Sequence, residues 1–513
     1  MAPNGRAAGS RAVLGSLTGP ADSWLGAGLE HLVEARHRRR LQRLGHVAAL
    51  DAASGMPSRT EVGDDTGATG APTAPEPTWV TPSRVRSGNS LRVLVDGAEA
   101  LAEVQAAILG AQRSVHIAGW HCSPDFRLVE GPGSLTLREL LGTVAHRVPV
   151  RVLMWGGPPV PVFKPSRRDV RAAAAGLMSG TSVECALDTR EFTMHCHHEK
   201  LVVVDDRIAF VGGIDLTALA GNRLDSPAHP RTGSLGWHDA STVLQGPAVA
   251  DVAAHFNARW GAVTGVTLDD PEPAPPAGEV EVELVRTVPE KMYDFLPRGE
   301  FSILSGYLAA LRSARSHIYL ENQFLWSPEV TDVLVAKLEH PPGNDFRVLL
   351  VLPRRPNNGR DTTRGQLARL LAADAGRDHL LATTLVGPTR DSPGVYVHAK
   401  IGIVDDRWLT VGSANLNEHS LFNDTEVNVL TLDRELARST RLRLWAEHTG
   451  RPLEDLDGPV AEVVDTVWRP ICDEQDEASA AGREPVHRIE RLQALSRRVD
   501  LLQGPLRGLL VDG

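Results

Sequence analysis

His198-Glu199-Lys200-Leu201-Val202-Val203-Val204-Asp205 returns two hundred residues later as His398-Ala399-Lys400-Ile401-Gly402-Ile403-Val404-Asp405. Each copy runs on into a glycine turn with a polar end, Val211-Gly212-Gly213-Ile214-Asp215 in the first and Val411-Gly412-Ser413-Ala414-Asn415 in the second, without a slip in register. The apolar run after each His-x-Lys reads as a buried strand, and side chains two apart on a strand share a face. Imidazole and ammonium therefore belong side by side. The Asp-Asp-Arg that follows reads as a hairpin turn into a second strand, which carries Asp205 and Asp405 away from the imidazoles and gives them a structural role.

The rest of the chain arranges itself around this repeat. Leu101, Val104, Ile108 and Ala111 fit one helical face, Ser114 to Trp120 and Val148 to Trp155 read as strands, and Pro247 to Trp260 as a helix. A proline- and acid-rich stretch, Asp269 to Gly278, follows. The order then recurs, with a helix marked by Ile303, Tyr307 and Leu311 and strands at Ser316 to Phe324 and Phe346 to Pro353. Two copies of one α/β unit follow, 91–265 and 281–447, joined by a linker at 266–280.

The flanks differ in character. Residues 1–90 form an arm rich in Ala, Gly, Pro, Ser and Thr, with Thr60 to Pro77 reading as a disordered linker. Within it, Ala21 to Leu50 carries a partial helical stripe and the basic cluster Arg36 to Arg43, a pattern found on anionic membranes and, more often, on solvated faces. Residues 448–513 read as a helical extension, with Ile489, Leu492, Leu495, Val499 and Leu502 at helical spacing.

Composition bounds the function. A hydrophobic content of 42% with no apolar run near the ~20 residues of a membrane helix argues against a transmembrane protein. The N-terminal residues lack a basic-then-apolar leader, so a cytoplasmic protein, at most peripheral on a membrane, is expected. A net charge of −10 weighs against a broad nucleic-acid footprint. The cysteines Cys122, Cys185, Cys196 and Cys472 show neither metal-ligand pairs nor a disulfide framework. His195, Cys196, His197 and His198 crowd together, but alternation along a strand splits them between two faces, so no metal is expected. Only five of the 54 basic residues are lysines, and two of the five stand in the repeat.

Tandem copies bring both histidines to one site only if the halves meet around a pseudo-two-fold axis. Such a site suits a phosphodiester: Lys200 and Lys400, with Asn415 and Ser413, hold the non-bridging oxygens and stabilise a five-coordinate transition state. One neutral histidine attacks phosphorus while the other, protonated, supplies the leaving oxygen. Neither step calls for a cofactor. A carboxylate behind each ring would set its tautomer, and the candidates are Asp239 in the first half and Glu426 in the second.

The paired His-x-Lys-x4-Asp motifs resemble the phospholipase D superfamily, as do Gly212-Gly213-Ile214-Asp215-Leu216, Asn222-Arg223-Leu224-Asp225, Trp237-His238-Asp239, Tyr319 to Phe324 and Tyr396 to Lys400. The resemblance covers about residues 90 to 445. It implies two α/β sandwiches with the site between them, a phosphohistidine intermediate on His198, and His398 as acid and then base. It also implies carboxylates that cross between halves, Glu426 behind His198 and Asp239 behind His398. The expected activity is hydrolysis or transphosphatidylation of glycerophospholipids by a monomer at a membrane surface. A cardiolipin-type synthase, a nuclease and a non-catalytic lipid-binding protein are the alternatives. Asp215 stands where the second motif has Asn415, so the halves are not expected to bind phosphate symmetrically, and Asp215 falls outside the core set.

Overall fold

Both repeated motifs feed strands whose every residue is buried, as continuous valine- and isoleucine-rich runs require when a sheet is covered on both faces. The computed structural model describes residues 76–158, 165–191, 195–218, 236–356, 360–392 and 394–493. The basic cluster of the N-terminal arm lies outside them.

The first half runs β1 (Arg86–Val95), α1 (Asp96–Gly110), β2 (Val115–Gly119), α2 (Leu137–Ala145), β3 (Val150–Trp155), α3 (Arg167–Met178) and β4 (Glu184–Asp188). It continues with β5 (Leu201–Val204), β6 (Ile208–Gly212), β7 (Gly236–His238), β8 (Ala240–Gln245) and α4 (Val249–Thr264). The second half follows with β9 (Val280–Val288), β10 (Glu300–Phe301), α5 (Ser302–Ser313), β11 (His317–Asn322), α6 (Pro328–Glu339), β12 (Arg347–Val351), α7 (Arg360–Asp374) and β13 (Leu380–Leu385). It closes with β14 (Val395–Val397), β15 (Lys400–Val404), β16 (Trp408–Gly412), β17 (Glu426–Thr431) and α8 (Arg434–Thr449), and α9 (Arg469–Ala480) and β18 (Ile489–Arg491) come after it.

Sheet order exposes the duplication. From the centre outward the first half reads β1, β8, β6, β5, β2, β3, β4, and the second reads β9, β17, β16, β15, β11, β12, β13. The two orders match strand for strand. Antiparallel pairing of β1 with β9, Asn89 opposite Val280, joins them into one continuous sheet. Alternation along β5 sends Val202 and Val204 into the core under α1 and α2, and Leu201 and Val203 into the core under α4. An α/β sandwich in each half is the result.

The Asp-Asp turns close each β5–β6-type hairpin with positive φ at both residues, 60° and 56° at Asp205 and Asp206, 54° and 49° at Asp405 and Asp406. Val204 stands opposite Ile208 and Val404 opposite Trp408, so each connection has three residues, and aspartate tolerates the left-handed backbone it needs. Asp205 also accepts the backbone N–H groups of Gln112, Arg113 and Ser114 at 2.6 to 3.0 Å, and Asp405 those of Arg315, Ser316 and His317 at 2.7 to 2.8 Å. Each carboxylate pins the loop that enters the neighbouring antiparallel strand, β2 or β11.

The C-terminal segment carries α9 and departs from the helical reading beyond it. Ile489 lies in β18, which pairs antiparallel with β13, Leu385 opposite Ile489. Residues three apart on a strand face opposite ways, and Ile489 and Leu492 are buried in the two cores on opposite faces of the second half. Backbone pairing at the exposed edge of β13 outweighed the helical spacing. Leu495, Val499 and Leu502 lie outside the described residues.

Candidate active site

His198 and Lys200 lie on the approach to β5, and His398 and Lys400 at the start of β15. In both copies the lysine Nζ folds back on the histidine carbonyl, at 2.6 Å for Lys200. The repeat thus places imidazole and ammonium together, as two-residue spacing dictates.

The carboxylates come from the opposite half. His198 Nδ1 lies 2.9 Å from Glu426 Oε1, and His398 Nδ1 lies 2.6 Å from Asp239 Oδ2. Two inter-half contacts impose this crossing. β14 pairs in parallel with β7, Val397 beside His238, and the His238 carbonyl accepts the N–H groups of His398 at 2.7 Å and Ala399 at 3.1 Å. Its counterpart is a parallel bridge between His197 and Thr425, with His198 N–H donating to the Thr425 carbonyl at 3.0 Å. The segment entering each histidine therefore runs beside the segment entering the other half's carboxylate. Each bond to Nδ1 leaves Nε2 as the ring nitrogen for chemistry.

The glycine turns seat the carboxylates differently. A Cβ on Gly213 would stand 2.2 Å from Asp239 Oδ1, so that turn admits Asp239 only with a bare backbone. At the matching place Ser413 donates its hydroxyl to Glu426, which also takes the Ser420 hydroxyl. Ser413, expected on phosphate oxygens, thus touches the carboxylate behind His198 in this structure. Asn415 is fully buried at the place matching Asp215.

Asp215 itself is a residue the sequence reading set aside. Its Oδ2 lies 3.0 Å from Lys200 Nζ, and its Oδ1 accepts Trp120 N–H at 3.0 Å. Lys400 meets a neutral partner, the Gln323 carbonyl oxygen at 3.4 Å. The Asp-for-Asn difference between the motifs is the sequence signal that marks Asp215. Burial and then Lys400 push the His398 pKa down to about 4, with Asp239 pulling the other way and Lys200 adding to the depression.

Behind each dyad lies a buried ionic cluster. His238 bonds Asp96 at 3.1 Å and Glu321 at 2.6 Å, and Glu321 reaches His448 at 2.9 Å. Burial opposes a charge on His238, but Glu321 and Asp96 outweigh it and raise its pKa well above the usual value. Asp96 also accepts the Asp239 N–H at 3.1 Å, which ties the cluster to the His398 dyad. On the other side Glu199, pointing away from His198 as alternation requires, meets His255 at 2.7 Å and the guanidinium of Arg259, which holds Asp188 at 2.7 Å. Arg259 is buried, so Arg259→Met removes the cation shared by two buried carboxylates and leaves Glu199 to His255 and Asp188 to Tyr293 and His197. The expected loss is ~3–5 kcal/mol, read as a fall in the urea midpoint.

Trp120, Phe324 and Trp326 are buried; Trp120 stacks on Trp155 with centroids 6.2 Å apart, and Trp326 Nε1 donates to Thr363 at 2.8 Å. They pack the core. Trp237 instead lies over His398, 5.0 Å between centroids, and stacks on Tyr396 at 4.7 Å.

The chain resembles known proteins in sequence. Residues 107–236 match the family described as Phospholipase D, and residues 307–445 the family described as Cardiolipin synthase, PLD-like domain. The chain belongs to the phospholipase D superfamily. Phospholipase D A of Dictyostelium discoideum is 26% identical over 70% of this chain and 36% of its own length. Phospholipase D alpha 4 of Arabidopsis thaliana is 26% identical over 71% of this chain and 65% of its own. Phospholipase D2 of Bos taurus is 25% identical over 75% and 56%. The chain thus spans between about a third and two thirds of the length of these superfamily relatives. In fold it resembles the crystal structure of phosphatidylserine synthase from Haemophilus influenzae Rd KW20, with a TM-score of 0.51 at 10% identity, over 76% of this chain and 93% of that one.

Proposed function

We propose that this chain is a phospholipase D-type phosphodiesterase that cleaves glycerophospholipids through a phosphohistidine, passing the phosphatidyl group to water or an alcohol. The crossed pairs His198–Glu426 and His398–Asp239, each beside a lysine, carry this reading. Glu426 holds the His198 Nδ1 proton, so the Nε2 lone pair attacks phosphorus. The P–O bond to the head-group alcohol breaks as Nε2–H of His398 delivers a proton to the leaving oxygen. Neutral His398 then takes a proton from the incoming water or alcohol, whose oxygen attacks phosphorus as the P–N bond breaks. Lys200 and Lys400 stabilise charge on the non-bridging oxygens at both stages.

The depressed His398 pKa fits this sequence. In the free site two ammoniums oppose an imidazolium, and a phosphodiester anion offsets their field. Substrate arrival then favours protonation of His398 at the moment an acid is needed.

Among the described residues no helix is long and apolar enough to cross a membrane, and we take the chain to meet its lipid from the aqueous side. Phosphatidylcholine vesicles with a primary alcohol are expected to yield the phosphatidyl alcohol as well as phosphatidic acid. The second family's description favours a lipid alcohol as acceptor, and phosphatidylglycerol in place of the simple alcohol tests that version. Cleavage of single-stranded DNA with no lipid product would overturn both.

A further inference from the structure

Beside the His198–Glu426 dyad, three side chains outside it converge from two halves of the sheet: His195, His419 and Asp424. His195 Nδ1 stands 3.1 Å from His419 Nδ1 and 3.7 Å from Asp424 Oδ1, and the three donor atoms lie within 4.8 Å of one another. Zinc–nitrogen bonds of 2.0–2.1 Å put neighbouring ligands of a tetrahedral ion about 3.4 Å apart. The observed separations bracket that edge. We propose that His195, His419 and Asp424 form a zinc site that latches the two halves together.

The donor set narrows the choice of ion. Two imidazoles and one carboxylate suit Zn2+ and not Mg2+ or Ca2+, which take oxygen ligands. The carboxylate is already aimed, since Asp424 Oδ1 accepts the Cys196 N–H at 2.8 Å, the kind of outer bond that orients a ligand. His419 and Asp424 are buried while His195 is 14% exposed, which gives an ion a way in and leaves the fourth position to water. Among the described residues, the other two clusters of this kind share His238, whose two ring nitrogens are already engaged by buried carboxylates at 2.6 and 3.1 Å.

What the ion would hold follows from the chain. His195 lies three residues before His198, and Asp424 two before Glu426. His419 adjoins Ser420, which donates to Glu426. An ion here ties the first half's motif segment to the second half's carboxylate segment, next to the His197–Thr425 bridge. Its role is to fasten that contact, it takes no part in the proton transfers, and it stands whether or not the phosphodiesterase reading holds. The expectation of no metal rested on splitting His195 to His198 between strand faces; His419 and Asp424, more than two hundred residues away, supply the missing partners.

Chelator-treated full-length protein titrated with Co2+ is expected to take up one equivalent with the intense visible bands of a four-coordinate site. Zn2+ should displace it and raise the thermal midpoint. His195→Asn, at the solvent edge, and His419→Gln should each weaken Co2+ binding by ~100-fold or more while keeping the far-UV spectrum. His398→Ala should retain the full equivalent, which separates this site from the catalytic imidazoles. No stoichiometric uptake, uptake unchanged in His195→Asn and His419→Gln, or uptake lost in His398→Ala would overturn the proposal.

Discussion

His398→Ala is expected to leave a protein that accepts a phosphoryl group on His198 and cannot pass it on. With a substrate whose leaving group departs without a proton, such as a nitrophenyl phosphodiester, the first step needs only the nucleophile. The second step needs a base to take a proton from water, and the variant has lost it. The phosphohistidine should therefore accumulate, detected as an acid-labile adduct on the peptide carrying His198. Steady turnover should fall by ~10^4-fold or more, because the two imidazoles act as one unit. His198→Ala should show the same loss of turnover and no adduct. The crossing pattern distinguishes the two rings only through their partners, so the position of the label decides their roles. An adduct on His398 in a His198 variant would reverse the assignment, and turnover above that of either single variant in the double variant would dismiss a histidine intermediate.

How much of this was legible beforehand depends on the distance over which a residue acts. The equal spacing of His198 and Lys200 with His398 and Lys400 exposes the duplication, because strand alternation is a local rule. The Asp205 and Asp405 turns are readable for the same reason. What alternation cannot show is which half supplies which carboxylate. That follows from β7 lying beside β14 and from His197 meeting Thr425, contacts between segments with no shared local pattern. The Ser413 contact with Glu426 is not legible in the sequence, because a hydroxyl after a glycine suits a phosphate and a carboxylate equally, and only the fold brings Glu426 to it. Asp215 looks like the odd member of a symmetric pair in the sequence, and the fold brings it 3.0 Å from Lys200 Nζ. The segment at Ile489 obeyed helical spacing and lies in a strand, since i and i+3 serve equally well to bury residues on two faces of a sheet edge.

Asp239→Asn tests the division of labour between the dyads most directly. Asp239 is the group that favours a charge on His398 against burial and two lysines, so neutralising it depresses the His398 pKa further. The amide also lets the ring settle in the wrong tautomer, and kcat is expected to fall by ~10^2–10^4-fold. The pH profile carries the sharper prediction. His398 acts as the acid in its protonated form, so kcat of the complex declines as pH rises through that pKa. In Asp239→Asn this alkaline limb should move to lower pH. Glu426→Gln should cost a comparable factor through His198, which attacks in its neutral form, and should leave the alkaline limb where it was. The two variants thus differ in the shape of the profile even where their rates agree. If Glu426→Gln moved the alkaline limb and Asp239→Asn did not, His198 would be the acid and His398 the nucleophile, with the same crossed geometry run in the opposite sense.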